Sequence, residues 1–301
     1  MDLGMVGLGR MGANMAARLL QAGHAVTGFD AQPDARKAAA ARGLRTVDSL
    51  AALVESLPAP RAVWLMVPAG AAVDGVLDEL LPLLAPGDVV IDGGNSQYRD
   101  SQRRAGQAAS AGCEWLDIGT SGGIHGLEHG YCMTIGGEAG TVERLQPLFQ
   151  ALAPAPGSGW GHVGPAGAGH YAKMIHNGIE YGLMQAYAEG MALLNRREDL
   201  APDPAQIARI WSDGSVIRSW LLELTAGALE GDPKLSTVAP YVADSGEGRW
   251  TVAEALELNV PAPVITQAMI ARLRSRDEEG FGDRVVAALR DAFGGHGTKP
   301  G

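Results

Sequence analysis

Residues 173–181 read KMIHNGIEY. The segment has no proline, and His176, Asn177, Glu180 and Tyr181 follow Lys173 at offsets of 3, 4, 7 and 8. Those offsets fall on one face of an α-helix. A buried helix normally carries Leu, Ile and Met at that spacing; here the stripe is cationic, polar, acidic and phenolic. Lys173 is therefore a candidate general base and Glu180 a candidate general acid. Seven residues of helix separate them by about 10 Å, which suits proton transfers at two different carbons of one substrate. A polar face at a subunit interface is the alternative.

A second signal lies at the N-terminus. GLGRMG (7–12) matches G-x-G-x-x-G, follows a strand pattern and opens a helix pattern. Gly7 allows the tight turn, Gly9 lets the backbone approach a pyrophosphate, and Gly12 permits close packing of helix on sheet. Leu8, Arg10 and Met11 supply the rest of that loop, and the helix N-terminus favours an anion. Asp30 ends the second strand pattern, where an acid reaches a ribose 2′-hydroxyl and repels a 2′-phosphate. NAD is thus expected over NADP, although Arg36 lies close enough in sequence to meet a phosphate.

Three more turns combine glycine with polar groups at strand ends: MVPAG (66–70), IDGGNS (91–96) and TSGGIHG (120–126). Ligands of open α/β sheets bind beyond the carboxyl ends of the strands. Val67 and Pro68 are expected at the cofactor and Asn95 at both cofactor and substrate. Ser121, Gly122 and Gly123 are expected to donate to a carboxylate or hydroxyl. Each stretch alone is also readable as an ordinary turn.

These residues need a scaffold. Strand patterns at 2–7, 25–30, 62–67, 88–93, 114–119 and 131–136 alternate with helical patterns, with Gly23 and Gly43 as C-caps and Asp48 as an N-cap. That alternation predicts a parallel, doubly wound Rossmann-like sheet of the α/β class. From Ala168 to about Arg197 one long helix is expected, and the later segments also read as helices. The expected division is a dinucleotide-binding domain at 1–163 and an all-α substrate and dimerisation domain at 164–301, with the boundary in the Pro/Gly-rich stretch 153–169.

The 301 residues carry a net charge of -10, which disfavours nucleic acid and anionic membranes as partners. Cys113 and Cys132 are the only cysteines and have no metal-type spacing. No metal is expected, and a reducing cytoplasm fits. Neither a signal peptide nor an apolar run of membrane-spanning length is legible.

Taken together and in order, GLGRMG, MVPAG, DGGNS, TSGGIHG, GAGHYAKMIHNGIEYGLMQAYAEG and GEGRWT resemble the 6-phosphogluconate dehydrogenase family, in a short form without the long C-terminal helical extension. The resemblance implies oxidation of 6-phospho-D-gluconate at C3, loss of CO2 from the 3-keto acid, and protonation of the enediol at C1 to give ribulose 5-phosphate. It implies that Lys173 takes the C3 hydroxyl proton and then polarises the new carbonyl, and that Glu180 protonates C1. Asn95, Ser121, Gly122, Gly123, His176 and Asn177 would hold the sugar acid, and Tyr181 and Arg272 its phosphate. It also implies a homodimer or homotetramer.

The chain departs from the pattern in two places. Longer members resemble QKGTGKWT where this chain has ADSGEGRWT, so their phosphate-contacting lysine falls at Ser245, with Arg249 nearby. The extension that lends a neighbour's side chains to the site is missing, and His296 in FGGHG is its candidate replacement. FDAQPD (29–34), in place of the NRT of NADP-using members, again favours NAD.

Two other classes compete. Related β-hydroxyacid dehydrogenases, of the 3-hydroxyisobutyrate or tartronate semialdehyde type, share the Rossmann start and the catalytic lysine but resemble Lys followed by Asn-Asn. Glu180, Tyr181 and DGGNS argue against them. A sugar acid without phosphate is the closer variant, kept open by Ser245. A non-catalytic NAD-binding protein would have no need of Lys173 and Glu180.

Overall fold

The computed structural model describes residues 1–294 and 298–299. The chain begins with β1 (Asp2–Val6), α1 (Arg10–Gln21), β2 (Ala25–Phe29), α2 (Pro33–Ala41), β3 (Arg45–Thr46), α3 (Leu50–Glu55), β4 (Ala62–Leu65) and α4 (Ala71–Leu80). It continues through β5 (Val89–Asp92), α5 (Tyr98–Ser110), β6 (Glu114–Ser121), α6 (Gly126–His129), β7 (Cys132–Gly137), α7 (Ala139–Leu152) and β8 (Trp160–Gly164). The strands form one sheet in the order β3-β2-β1-β4-β5-β6-β7-β8. The order reverses between β1 and β4, and it is outside such a switch point that open α/β sheets bind ligands.

Alternation along the central strands splits the core in two. Leu3, Met5, Trp64 and Ile91 pack on one face with Met15, Leu19 and Phe149 from the helices. Val6, Val63, Leu65 and Val90 pack on the other with Leu53 and Leu77. Each such buried side chain contributes roughly 1.5–3 kcal/mol.

The expected Rossmann-like architecture is present, with corrections. β7 runs antiparallel to β6. Only residues 122–131 join them, and a parallel return needs a crossover of about a dozen residues or more. β3 is only two residues long, and β8 lies inside the Pro/Gly-rich stretch that reads as a boundary. α7 carries Pro147 internally, which hides it from a reading that treats proline as a stop. Gly23 and Gly43 do follow helices, at φ +84° and +87°, but Ser49, not Asp48, caps α3 by accepting from the Ala52 N–H.

Beyond the sheet come α8 (Ala168–Arg196), α9 (Pro204–Gly214), α10 (Trp220–Gly231), α11 (Glu247–Glu257), α12 (Pro263–Arg274) and α13 (Phe281–Gly294). The chain forms two compact units, Met1–His176 and the segment from Asn177 onward, with α8 beginning in the first and running into the second. The second unit has its own core of Met191, Ala205, Ala208, Leu222, Ala226 and Leu229. Asp203 and Ser219 cap α9 and α10 by accepting from backbone N–H groups.

Candidate active site

In the first unit the glycine-rich loop joins β1 to α1. Gly7 has φ +93°, and a Cβ there would lie 2.4 Å from the Met66 carbonyl oxygen. A Cβ on Gly12 would lie 2.0 Å from the Gly7 carbonyl oxygen, so both glycines are required by the turn. At Gly9 a Cβ would meet nothing within 4 Å. Gly9 is exposed and caps α1 without any side-chain bond to its first N–H groups. Open backbone before an uncapped helix N-terminus is what a pyrophosphate needs, and Leu8, Arg10 and Met11 complete that loop. These residues fit a dinucleotide.

Asp30 spends both carboxylate oxygens on backbone: Oδ2 accepts from Leu8 N at 2.7 Å and Oδ1 from Gln32 N at 2.8 Å. Its side chain is thereby fixed beside the loop, with lone pairs left for a hydroxyl. Arg36 donates to the Asp30 carbonyl oxygen at 2.7 Å.

The turns after β1, β4 and β5 touch. A Cβ on Gly7 would come within 3.1 Å of the Val67 side chain, and one on Gly94 within 3.1 Å of the Val67 carbonyl oxygen. Pro68 follows, exposed. In the turn after β5, Asp92 accepts from Gly94 N at 3.1 Å and from Ser96 Oγ at 2.7 Å. Asn95 is exposed between these two anchored residues. Arg104, on α5, closes the cluster. Its Nε donates to Asp74 at 2.8 Å, its Nη1 to Ser96 at 3.3 Å and its Nη2 to the Gly70 carbonyl at 3.0 Å. The hydrogen bond from Arg104 holds the Asp74 carboxyl down at about 2.

Lys173 is reached from the other side of the sheet order, through β6. Asp117 of β6, fully buried, accepts from Gly167 N at 2.6 Å and His170 N at 2.8 Å. A carboxylate thus caps the N-terminus of α8, where orphan N–H groups and the dipole favour it. His170 Nδ1 lies 2.6 Å from Ser101 Oγ on α5, a second anchor. The helix can come this close because Gly119, Gly136 and Gly169 lack side chains. A Cβ on Gly169 would sit 2.2 Å from the Asp117 carbonyl oxygen, and one on Gly119 would sit 2.4 Å from Lys173 Cβ. Lys173 is 9% exposed, and its Nζ donates to Ser121 Oγ at 3.2 Å and lies 3.4 Å from His176 Nδ1.

Ser121 ends β6, and Gly122 and Gly123 follow at φ +133° and +53°. Arg18 of α1 ties the segment that follows to the end of α7, donating to the Leu127 carbonyl and to those of Ala151 and Ala153. The structure therefore brings Lys173, His176 and Ser121 together, and separately assembles the glycine-rich loop with Asp30, Val67 and the Asn95 turn.

In the second unit Asn177 and Tyr181 are buried and Glu180 is half-buried. The Arg272 guanidinium carbon stacks 3.5 Å from the Tyr181 ring centroid. Gly248 makes room for that ring, since its Cβ would fall 2.6 Å from Tyr181. The Tyr181 hydroxyl lies 3.3 Å from Ser245 Oγ, and Ser245 donates to buried Glu247 at 2.5 Å. Arg249 donates to Asp244. His296 lies outside the described residues.

Sequence reasoning missed Arg104, Asp117 and Arg18. Asp117 was visible as an acid in the middle of an apolar strand, EWLDIG. Arg104 left a fainter trace, since Ser101, Arg104 and Ala108 form the buried stripe of α5. Among the described residues no group of three or more His, Cys, Asp or Glu side chains is placed to hold a metal, and no helix is long and apolar enough to cross a membrane.

Residues 2–163 match the model of the NAD binding domain of 6-phosphogluconate dehydrogenase, and residues 169–282 match that of the 6-phosphogluconate dehydrogenase C-terminal domain. The chain belongs to the 6-phosphogluconate dehydrogenase family. It is 49% identical over 298 residues to an NAD(+)-dependent, decarboxylating 6-phosphogluconate dehydrogenase of Haloferax volcanii, covering 98% of each chain. The Plasmodium falciparum 6-phosphogluconate dehydrogenase, solved apo, with its cofactor NADP+ and with its substrate 6-phosphogluconate, superposes with a TM-score of 0.83 at 26% identity. That match covers 98% of this chain but only 65% of the longer one. A Mycobacterium tuberculosis 3-hydroxyisobutyrate dehydrogenase matches at TM-score 0.73 and 25% identity over 92% of this chain and 94% of its own. The 6-phosphogluconate dehydrogenase family therefore includes this short chain, and its fold is shared with β-hydroxyacid dehydrogenases.

Proposed function

We propose that this protein oxidatively decarboxylates 6-phospho-D-gluconate to D-ribulose 5-phosphate and CO2 with reduction of NAD. The observation that carries the reading is the pairing on α8. Lys173 is buried with its amine 3.2 Å from Ser121 Oγ, and Glu180 stands seven residues further along the same helix.

Gly7, Leu8, Gly9, Arg10, Met11 and Gly12 hold the pyrophosphate, Asp30 the adenosine ribose, and Val67, Pro68 and Asn95 the nicotinamide half. Bound NAD supplies the hydride acceptor for C3. Lys173 accepts the C3 hydroxyl proton, and the resulting ammonium then polarises the C3 carbonyl while the carboxylate leaves as CO2. Glu180 delivers a proton to C1. Ser121, Gly122, Gly123, His176, Asn177 and Asn95 orient the sugar acid, and Tyr181 and Arg272 take its phosphate, an arginine fork being suited to a phosphate. The carboxylate of Asp30 and the Haloferax relative's NAD dependence support NAD.

Residues 1–163 serve the dinucleotide and 164–301 the substrate and subunit contact, in a cytoplasmic homodimer or homotetramer. Two variants test the chemistry. Lys173→Ala lowers kcat about 10³-fold and Glu180→Gln about 10²-fold or more, with NADH binding retained in both. Unchanged turnover in the lysine variant contradicts the assignment.

One observation favours a second reading. Ser245, which the family resemblance sets at a lysine of longer members, is bonded to buried Glu247. A buried carboxylate bonded to the serine that meets the Tyr181 hydroxyl suits a non-phosphorylated sugar acid better than a phosphate ester.

A further inference from the structure

Arg104 lies in none of the glycine-rich turns, yet it is fully buried and bonded to two of them. On one side it donates to the Gly70 carbonyl and to Asp74, at the end of the turn after β4 and in the first turn of α4. On the other it donates to Ser96, with Asp92 Oδ2 3.7 Å away, in the turn after β5. Asp92 and Ser96 are themselves 1% and 3% exposed, and they bond to each other. Asn95 is the exposed tip that these groups carry.

A guanidinium has donors enough, in a fixed plane, to reach three acceptors at once, whereas a lysine ammonium is a point charge on a flexible stem. Burying the pair gains little net stability over apolar residues of the same volume. What the arrangement supplies is position: one rigid side chain ties the turn at 66–70 to the turn at 92–96.

We propose that Arg104 is a positioning residue that fixes these two turns against each other and thereby sets where Asn95 stands for cofactor and substrate. The part played by Asn95 rests on the proposed function; the clamp itself does not.

The test is a double-mutant cycle. Arg104→Lys and the milder Ser96→Ala are each made alone and together with Asn95→Ala. Each is read by the dissociation constant of NADH, from nucleotide fluorescence, and by KM and kcat for 6-phosphogluconate. Arg104→Lys is expected to weaken NADH binding and raise KM about tenfold when Asn95 is present, and to change each less than about twofold when it is alanine. Ser96→Ala is expected to show the same non-additivity at about threefold, and it decides the matter if Arg104→Lys does not fold. Equal fold-changes in both backgrounds overturn the inference, as does a lowered Tm with neither constant changed. If the wild type turns over no phosphogluconate, the proposed reaction fails, and the NADH arm of the cycle still decides the role of Arg104.

Discussion

Lys173 is held by what surrounds it. Its amine meets Ser121 at the end of β6, and Gly119 on the same strand leaves its Cβ the space it occupies. The losses expected for Lys173→Ala and Glu180→Gln follow from the single proton transfers proposed for each, worth roughly 10²–10⁴ in rate. Retained NADH binding separates them from unfolding, and measured kcat with fluorescence titration checks both. Lys173, Glu180, Ser121 and the glycine-rich loop stood out as candidates in the sequence because their residue types are rare at those spacings. The roles of Asp117 and Arg104 were not legible, because an acid in the middle of an apolar strand shows that it is unusual but not what it binds, and a cation on a polar helix normally marks a solvated face. Only tertiary packing shows that Asp117 caps α8 and that Arg104 is buried. The second role of Asp30, accepting from Leu8 N, also needs the folded loop to be seen.

Among the elements, α8 and the β6–β7 pair pack together and so place Lys173 against Ser121. The start of the helix lies against two antiparallel strands across Gly119, Gly136 and Gly169, with Thr134 Oγ1 donating to the Gly169 carbonyl at 3.0 Å. A Gly169→Ala substitution drives a Cβ into the Asp117 carbonyl and pushes the helix off the strands. Overpacking of this kind costs about 1–3 kcal/mol, and a displacement of about 1 Å at a reacting group costs about 10²-fold. The variant is expected to melt several degrees lower and to lose kcat well beyond what partial unfolding explains. A thermal melt beside kcat at a temperature where the variant is folded checks it, and full activity contradicts the packing account. The alternation of strands and helices was legible from periodicity, except for the two-residue β3, for β8 inside the Pro/Gly-rich stretch and for α7 with its internal Pro147. The direction of β7 was not, because residue pattern is the same for parallel and antiparallel pairing and only the short connection at 122–131 decides it.

At the scale of the whole molecule, the second unit leaves many apolar side chains in water. Leu193, Val216, Val264, Phe281 and Leu289 are each more than 60% exposed. Apolar side chains left in water are stabilised by burial, and the self-association proposed for this chain would cover some of them. Sedimentation at micromolar protein is expected to give a dimer or tetramer; a monomer at that concentration contradicts the proposal. The proposed reaction, with the glycine-rich loop on the sheet and Tyr181 and Arg272 on the helices, is open to one direct measurement. Purified protein is given 6-phosphogluconate with NAD or NADP, and separately gluconate, while absorbance of the reduced nicotinamide and CO2 release are followed. NAD reduction with the phosphorylated acid, matched by CO2 and weaker with NADP, is the predicted result. No turnover of the phosphorylated acid, with activity on gluconate instead, would contradict it and give the site to the non-phosphorylated sugar acid that Ser245 and Glu247 favour.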